Sequence, residues 1–231
     1  MFPPIEHREI QTVAKAVLAQ LAASIHPSDT ERTLAERAVS LLAAHGITET
    51  WYYNCPALVL LGTRSCESLS GRDYQPDSEP VGDFNVITVD LSPMRGGLWG
   101  DCARTIPVEN GRFTSQPQAA EFKAGLEAQE LLHQSMRSFV TPTTTFAELF
   151  AFSTAQIASL GFQNLDFRGN LGHSIAAERT KRCYIEVGNS QSLGSVRLFT
   201  FEPHIRQLNG TWGFKHEEIY YFGPDRQPHA L

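Results

Sequence analysis

Asp90 and Asp101 are the pair whose placement first suggests chemistry. Val86 to Asp90 is β-branched and apolar and reads as a strand, Met94-Arg95-Gly96-Gly97 reads as a turn, and Leu98-Trp99 begins a return strand. A turn centred between Arg95 and Gly96 brings Asp90 opposite Asp101. Facing residues on one sheet face stand roughly 4.5 to 5.5 Å apart at Cβ, and like charges there are destabilising. An oxygen-preferring divalent cation is the simplest remedy, because it restores the ionised form that each carboxylate denies the other. Two solvated aspartates on an edge strand are the plain alternative.

A second pair repeats the pattern. Asn209-Gly210 is a strong hairpin signal between Leu198-Phe-Thr-Phe-Glu202 and Glu217-Glu-Ile-Tyr-Tyr-Phe222. Centring the turn there sets Glu202 opposite Glu217, with Pro203 or a bulge able to shift the register. Between the two pairs, Asn170-Leu-Gly-His173-Ser-Ile-Ala176 offers an imidazole in a loop of small residues. Four carboxylates, two divalent cations and a neutral His173 balance in charge. Oxygen ligands with one nitrogen suit Mn²⁺, Fe²⁺, Co²⁺ or Zn²⁺. Two such ions, typically about 3.5 to 4 Å apart, can bridge a hydroxide and polarise a carbonyl, which is a hydrolase constellation.

The elements that must position these residues follow from periodicity. Apolar residues from Ile10 to Ile25 recur at three- and four-residue spacing, so residues 6–25 read as a helix. Ser28-x-x-Glu31 reads as the capping box of a second helix ending at Gly46. Thr50 to Gly62 reads as strand interrupted at Pro56, and Arg64 to Gly82 as loop. The order then repeats: a helix over 118–139, another capped by Thr145-x-x-Glu148 and running to about Leu160, then strands at Val196 to Phe201 and Glu218 to Phe222. The expected fold class is α/β of the α+β type, a duplicated α/β unit whose curved antiparallel sheet is covered by helices. With 231 residues, one domain over 1–231 is the expectation.

Composition narrows the partners. A formal charge of −6 argues against a non-specific nucleic-acid binder. The opening residues carry charges and prolines where a signal peptide needs an apolar run, and the longest uncharged stretch is too short to span a membrane. Four cysteines without a C-x-x-C pair read as free thiols, so a cytoplasmic protein is expected, with neither nucleic acid nor membrane as partner.

Asp90, Asp101 eleven positions on, the loop ending in His173, Phe201-Glu202-Pro203, and Gly213-Phe-Lys215-x-Glu217-Glu218 together resemble the M24 metallopeptidase family. This is the pita-bread fold of methionine aminopeptidase, aminopeptidase P, prolidase and creatinase. Gly97-x-Trp99-Gly-Asp101-Cys-Ala-Arg-Thr105 looks closer to the aminopeptidase P branch, catalytic unit only. The resemblance implies that Asp90 chelates one metal, that Asp101 and Glu217 bridge both, and that His173 and Glu202 hold the other. It also implies that Glu202 exchanges protons with the nucleophilic water. The implied cofactor is a pair of divalent ions, Mn²⁺ first, with Co²⁺, Fe²⁺ or Zn²⁺ as alternatives. The implied activity is removal of an N-terminal residue from small peptides, Xaa-Pro-type or related, with a homodimer as a further possibility.

Departures bear on the substrate. Where the family usually carries histidines that orient substrate, this chain has Gly169, Thr180 and the Arg72-Asp73 region. His204, two residues beyond Glu202, should share its sheet face and is a candidate catalytic group, or else a core histidine. Lys215, Arg179 and Arg182 are candidates for substrate binding, through a carboxylate in the case of the two arginines. The runner-up function is an M24-fold enzyme acting on a non-peptide small molecule by amide or amidine hydrolysis or by elimination. A non-catalytic binding module is disfavoured by the complete ligand set. Gly172-His-Ser174-Ile-Ala176 approaches a nucleophile elbow, but it ends in Ala and lacks the alternating sheet that such an elbow needs.

Overall fold

Ile10, Ala14, Val17 and Leu21 fall on one face of a helix, and that face is buried in α1 (Ile5–Ala23). The structure, a computed structural model, describes residues 5–231, so residues 1–4 of the opening run that argues against a signal peptide lie outside the described residues. Helix α2 (Glu31–Ala44) buries Leu34, Ala38 and Leu42. Its capping box is Thr30 with Thr33, not Ser28 with Glu31. The physical reason is that Glu31 is wholly buried and its carboxylate accepts from Leu61 N, Asp77 N and Arg64 Nε at 2.8 to 2.9 Å. A carboxylate spent on three tertiary donors is not free to fold back on its own helix.

The stretch from Thr50 to Gly62 is interrupted ahead of Pro56, as expected, by a turn. It gives β1 (Glu49–Thr50) and, directly after Pro56, β2 (Ala57–Leu61). Next come β3 (Phe84–Leu91), β4 (Pro93–Arg95), β5 (Leu98–Trp99), β6 (Cys102–Glu109) and β7 (Arg112–Phe113). Strands pair in the order β2-β3-β6-β7, with a smaller β1-β4-β5 sheet beside them. The second half repeats the plan. Helices α3 (Ala120–Phe139) and α4 (Phe146–Ser159) precede β8 (Phe162–Asn164), β9 (Phe199–Phe201), β10 (His204–Gln207), β11 (Gly213–Lys215), β12 (Glu218–Phe222) and β13 (Pro228–Ala230). The Thr145–Glu148 box caps α4 as expected. Here the ladders run β11-β10-β8 and β13-β12-β9, and every pairing among these strands is antiparallel.

Each half packs its own core. One joins α1 and α2 to Val59, Ile87, Val89 and Ile106, and the other joins α3 and α4 to Phe199, Phe201, Phe214 and Tyr220. Burial of each such side chain stabilises by about 1.5 to 3 kcal/mol. No described helix is long and apolar enough to cross a membrane.

The register of the first hairpin differs from expectation. Asp90 pairs with Ala103, and the turn is centred on Gly96 and Gly97, at φ 59° and 79°. Two consecutive left-handed residues suit a two-residue turn whose twist matches the strands, and glycine takes that conformation without penalty. Leu91 pairs with Cys102 and Met94 with Trp99. Asp101 therefore comes opposite Ser92, a diagonal neighbour of Asp90 rather than its facing partner. The second hairpin keeps the expected register in both flanking ladders: His204 pairs with Lys215 and Phe201 with Glu218. Glu202 and Glu217 lie in the gap between those ladders.

Candidate metal centre

Five side chains from both halves meet at the junction of the sheets. Asp90 comes from β3, Asp101 from the residue before β6, Glu202 from the residue after β9 and Glu217 from the residue before β12. His173 forms an isolated bridge with Tyr184. One ligand atom each of Asp101, His173 and Glu217 lies within 4.8 Å of the others, the group of this kind found among the described residues.

Backbone and side-chain contacts hold these donors. Gln11 on α1 grips Asp101 by its main chain, donating to its carbonyl at 2.7 Å and accepting from its N–H at 3.1 Å. Gln129 on α3 acts similarly in the second half, donating to the carbonyls of Pro203 and Phe214, both at 2.7 Å. Thr200 Oγ1 accepts from His173 N at 3.0 Å and donates to Glu202 Oε1 at 3.3 Å. Gly172 permits that approach: at φ 140°, a Cβ there would stand 2.4 Å from the Thr200 carbonyl. Nδ1 of His173 donates to Ser174 O at 3.1 Å, so Nε2 carries the ring's lone pair, to which Arg182 Nη1 donates at 3.1 Å. From Nε2 it is 3.5 Å to Asp101 Oδ2 and 3.6 Å to Glu202 Oε1.

Electrostatically the cluster is short of positive charge at its centre. Burial, then Asp90 and Glu202, hold the Asp101 carboxyl well above the usual carboxylate range. Burial and Asp101 do the same to Glu217, and burial raises Glu202. Burial pushes His173 down to about 3, with Arg182 adding to the effect, so the imidazole is neutral. Asp101 Oδ2 and both oxygens of Glu217 are buried without a hydrogen-bond partner. Buried carboxylate oxygens are costly to leave unpaired. The donors therefore fit a divalent cation, which would be held by Asp101, His173 and Glu217 with Glu202 and Asp90 beside them.

Above the donors lies a cavity of about 150 Å³, whose lining includes Trp51, Tyr52, Asp166, Arg168, Arg182 and Tyr184. Arg182 Nη1 is 3.1 Å from His173 Nε2, and its guanidinium lies 5.2 Å from the ring centroids of both Trp51 and Tyr184. Lys215 places its ammonium 2.6 Å from Asp90 Oδ2 and 3.3 Å from Glu202 Oε2. Arg179 is stacked on Tyr53, 3.7 Å from the ring centroid. His204 lies outside the cavity lining: its buried ring gives Nε2 to the Ser65 carbonyl at 2.7 Å, and burial pushes it down to about 4. His204 opens β10 two residues past Glu202 and pairs with Lys215, which brings it near the site, but its Nε2 is committed to Ser65. The Ser174 hydroxyl accepts from Cys183 N at 2.9 Å in a bridge segment, so no nucleophile elbow forms.

Gln11, Gln129, Thr200, Trp51 and Asp166 escaped the sequence reading. Trp51 could have been suspected as the start of Trp51-Tyr52-Tyr53, an aromatic run beside a strand. Its indole donates to Gly100 O at 2.9 Å, next to Asp101.

A family model for metallopeptidase family M24 matches residues 6–223. Methionine aminopeptidase A of Synechocystis sp. is 26% identical over 217 residues, covering 89% of this chain and 78% of that protein. Among solved structures, X-Pro aminopeptidase from Thermotoga maritima superposes with a TM-score of 0.80 at 19% identity, covering 98% of this chain and 60% of that one. Prolidase from Thermococcus sibiricus gives 0.78 at 19% identity, with 97% and 57% covered. Methionine aminopeptidase from Thermotoga maritima gives 0.78 at 14% identity, with 99% and 97% covered. The chain thus spans less than two thirds of the X-Pro aminopeptidase and prolidase chains and nearly all of the Thermotoga methionine aminopeptidase. The matched family, the fold shared with these enzymes and the buried donor set converge: this chain belongs to metallopeptidase family M24, as a metal-dependent hydrolase of the pita-bread fold.

Proposed function

We propose that the chain is an aminopeptidase, of the Xaa-Pro type or closely related, that removes the N-terminal residue of a short peptide using divalent metal, Mn²⁺ first among the candidates. The observation that carries this is the buried, partnerless oxygens of Asp101 and Glu217 gathered with the deprotonated Nε2 of His173, beneath a cavity that Asp101 and His173 line. A divalent cation bound there supplies Lewis-acid polarisation of the scissile carbonyl and activates water.

The chain's own residues do the rest. Glu202, whose carboxyl is pushed up by burial, accepts and returns a proton at Oε1, the oxygen that Thr200 orients. Arg182 and Arg168, on the cavity wall, orient a substrate carboxylate. The rings of Trp51, Tyr52 and Tyr184 exclude water around the reacting bond. A cavity of about 150 Å³ suits a small peptide rather than a folded chain. The four free thiols are consistent with a cytoplasmic location.

The test is metal removal followed by Mn²⁺ reconstitution and assay against Xaa-Pro, Met-Ala and other dipeptides. Turnover restored by Mn²⁺ supports a peptidase, with preference for Xaa-Pro supporting the narrower assignment. Inertness toward all dipeptides by metal-loaded protein turns the reading to a non-peptide small molecule. One observation favours that second reading: Arg182 sits directly at His173, where an anionic small molecule would meet both the guanidinium and the ligand cluster.

A further inference from the structure

Arginines sit on the aromatic rings that line the cavity. Arg182 lies over both Trp51 and Tyr184, while Arg168 stands 5.0 Å from the Tyr184 ring centroid and donates Nη1 to its hydroxyl at 3.3 Å. Tyr53, also in the lining, carries two more. Arg179 is 3.7 Å from its centroid and Arg72 is 4.7 Å away, with Arg72 Nη2 donating to the Tyr53 hydroxyl at 3.0 Å. Three rings thus gather four guanidinium groups, in a chain whose formal charge is −6.

The way these cations are held leaves them open to a ligand. Arg37, Arg64, Arg95 and Arg104 are each spent on a carboxylate, whereas among the described residues none of the four arginines at the rings makes a salt bridge. Two acids nearby in sequence are engaged otherwise: Glu178 pairs with Lys181 at 2.7 Å, and Asp166 accepts from the main-chain N–H groups of Arg168 and Asn170 at 2.9 and 3.1 Å. A guanidinium held by the face of a ring keeps N–H donors at its edge for a planar anion. Arg182 Nε donates to the Arg179 carbonyl at 3.0 Å, which ties the two groups of arginines together. Arg182 and Arg168 share Tyr184, and Arg179 and Arg72 share Tyr53, so the cavity has two cationic places rather than one.

We propose that Arg72 and Arg179 on Tyr53 form a second anion subsite, so that the preferred substrate carries an acidic side chain on the leaving side of the scissile bond, in addition to the carboxylate met by Arg182 and Arg168. This rests on the aminopeptidase reading above and names its substrate class, short acidic peptides. A carboxylate beside Tyr53 meets two positive charges whose stacking already limits their freedom, so little ordering remains to be done when it binds.

Mn²⁺-loaded protein assayed on the matched pairs Ala-Glu and Ala-Gln, and Ala-Pro-Glu and Ala-Pro-Gln, tests this, since each pair differs by one charge at nearly constant shape. In whichever pair is cleaved, kcat/KM is expected to be about tenfold higher for the acidic member. Arg72→Gln with Arg179→Gln should bring that ratio close to one; a merely structural role for the two arginines would lower both members alike and leave the ratio unchanged, which overturns the assignment. Equal kcat/KM for both members in the wild type overturns the acidic preference while the aminopeptidase reading stands. Calorimetric binding of L-glutamate and L-glutamine to the same protein is the second readout, with glutamate expected to bind about tenfold tighter and the double variant to bind both alike. If no peptide is cleaved, the aminopeptidase reading fails and this binding decides the subsite: glutamate favoured in the wild type alone upholds it, and equal affinities overturn it.

Discussion

Asp101 is positioned through its backbone, and that is the contact most open to mutation. Gln11 satisfies both its N–H and its carbonyl in a buried setting. Replacing Gln11 by Leu, which has similar bulk and no polar atoms, orphans those two groups. Leaving buried polar groups unpaired costs about 1 to 3 kcal/mol. Urea unfolding of metal-free Gln11→Leu should show that loss, and Mn²⁺ titration should show weaker binding because the Asp101 carboxylate is no longer held. An unchanged midpoint with unchanged Mn²⁺ affinity would remove Gln11 from the site. The five candidate ligands stand out in the sequence because acids at the ends of apolar strands and a histidine among small residues are chemically conspicuous. Gln11 and Gln129 were not legible. A glutamine beside a helical stripe looks like ordinary face variation, and its meaning lies in partners 90 and 74 to 85 residues away.

Elements were legible where local chemistry decides them. The helix pairs, the strand Glu218–Phe222 and the Thr145 cap follow from spacing and end signals. What failed was what tertiary contacts decide: Glu31 is taken by Leu61, Asp77 and Arg64, and the glycine pair moves the first hairpin's register by two residues. A two-residue shift keeps both aspartates on one sheet face, which is why the site survived the error. The joint between α3 and β12 makes its own prediction. His133 is buried, donates Nε2–H to His216 O at 3.1 Å and takes the Tyr220 hydroxyl on Nδ1 at 2.8 Å, an arrangement that requires the neutral ring. Burial holds its pKa well below the usual histidine value. A depressed histidine contributes stability that is present above its unfolded pKa, about 6.5, and is lost as pH falls toward the folded value. Metal-free protein should therefore lose up to about 1.4 kcal/mol per pH unit below pH 6.5 on this account. His133→Gln, lower in stability at neutral pH, should show a shallower slope in urea unfolding between about pH 7.5 and 5. An identical slope in the variant would assign the acid sensitivity to other groups.

At the scale of the whole molecule, the candidate ligands join two packed cores. Asp90 and Asp101 hang from the first half, and His173, Glu202 and Glu217 from the second. A cation at their junction thus ties the halves together, and it binds the native state alone, since no unfolded chain gathers these groups. At a concentration one hundred times its dissociation constant, such a ligand stabilises by about 2.7 kcal/mol. For a chain of this size that corresponds to a rise in Tm of about 5 to 10 °C. The rise should depend on pH in a direction set by Asp101 and Glu217, whose carboxyls are raised in the metal-free fold. Raised carboxyls contribute stability below their unfolded values, near 4, and lose it as pH climbs through the folded ones. Metal-free protein is thereby penalised at higher pH, whereas Mn²⁺ binds the deprotonated oxygens and removes that penalty. The acid sensitivity from His133 is common to both states and cancels in the difference. Thermal melts with Mn²⁺ and with chelator, at about pH 5.5 and pH 8, should show the gap in Tm widening toward the higher pH. A gap that stays constant or narrows would mean that the ion does not displace protons from Asp101 and Glu217, and would place the metal elsewhere than on these two carboxylates.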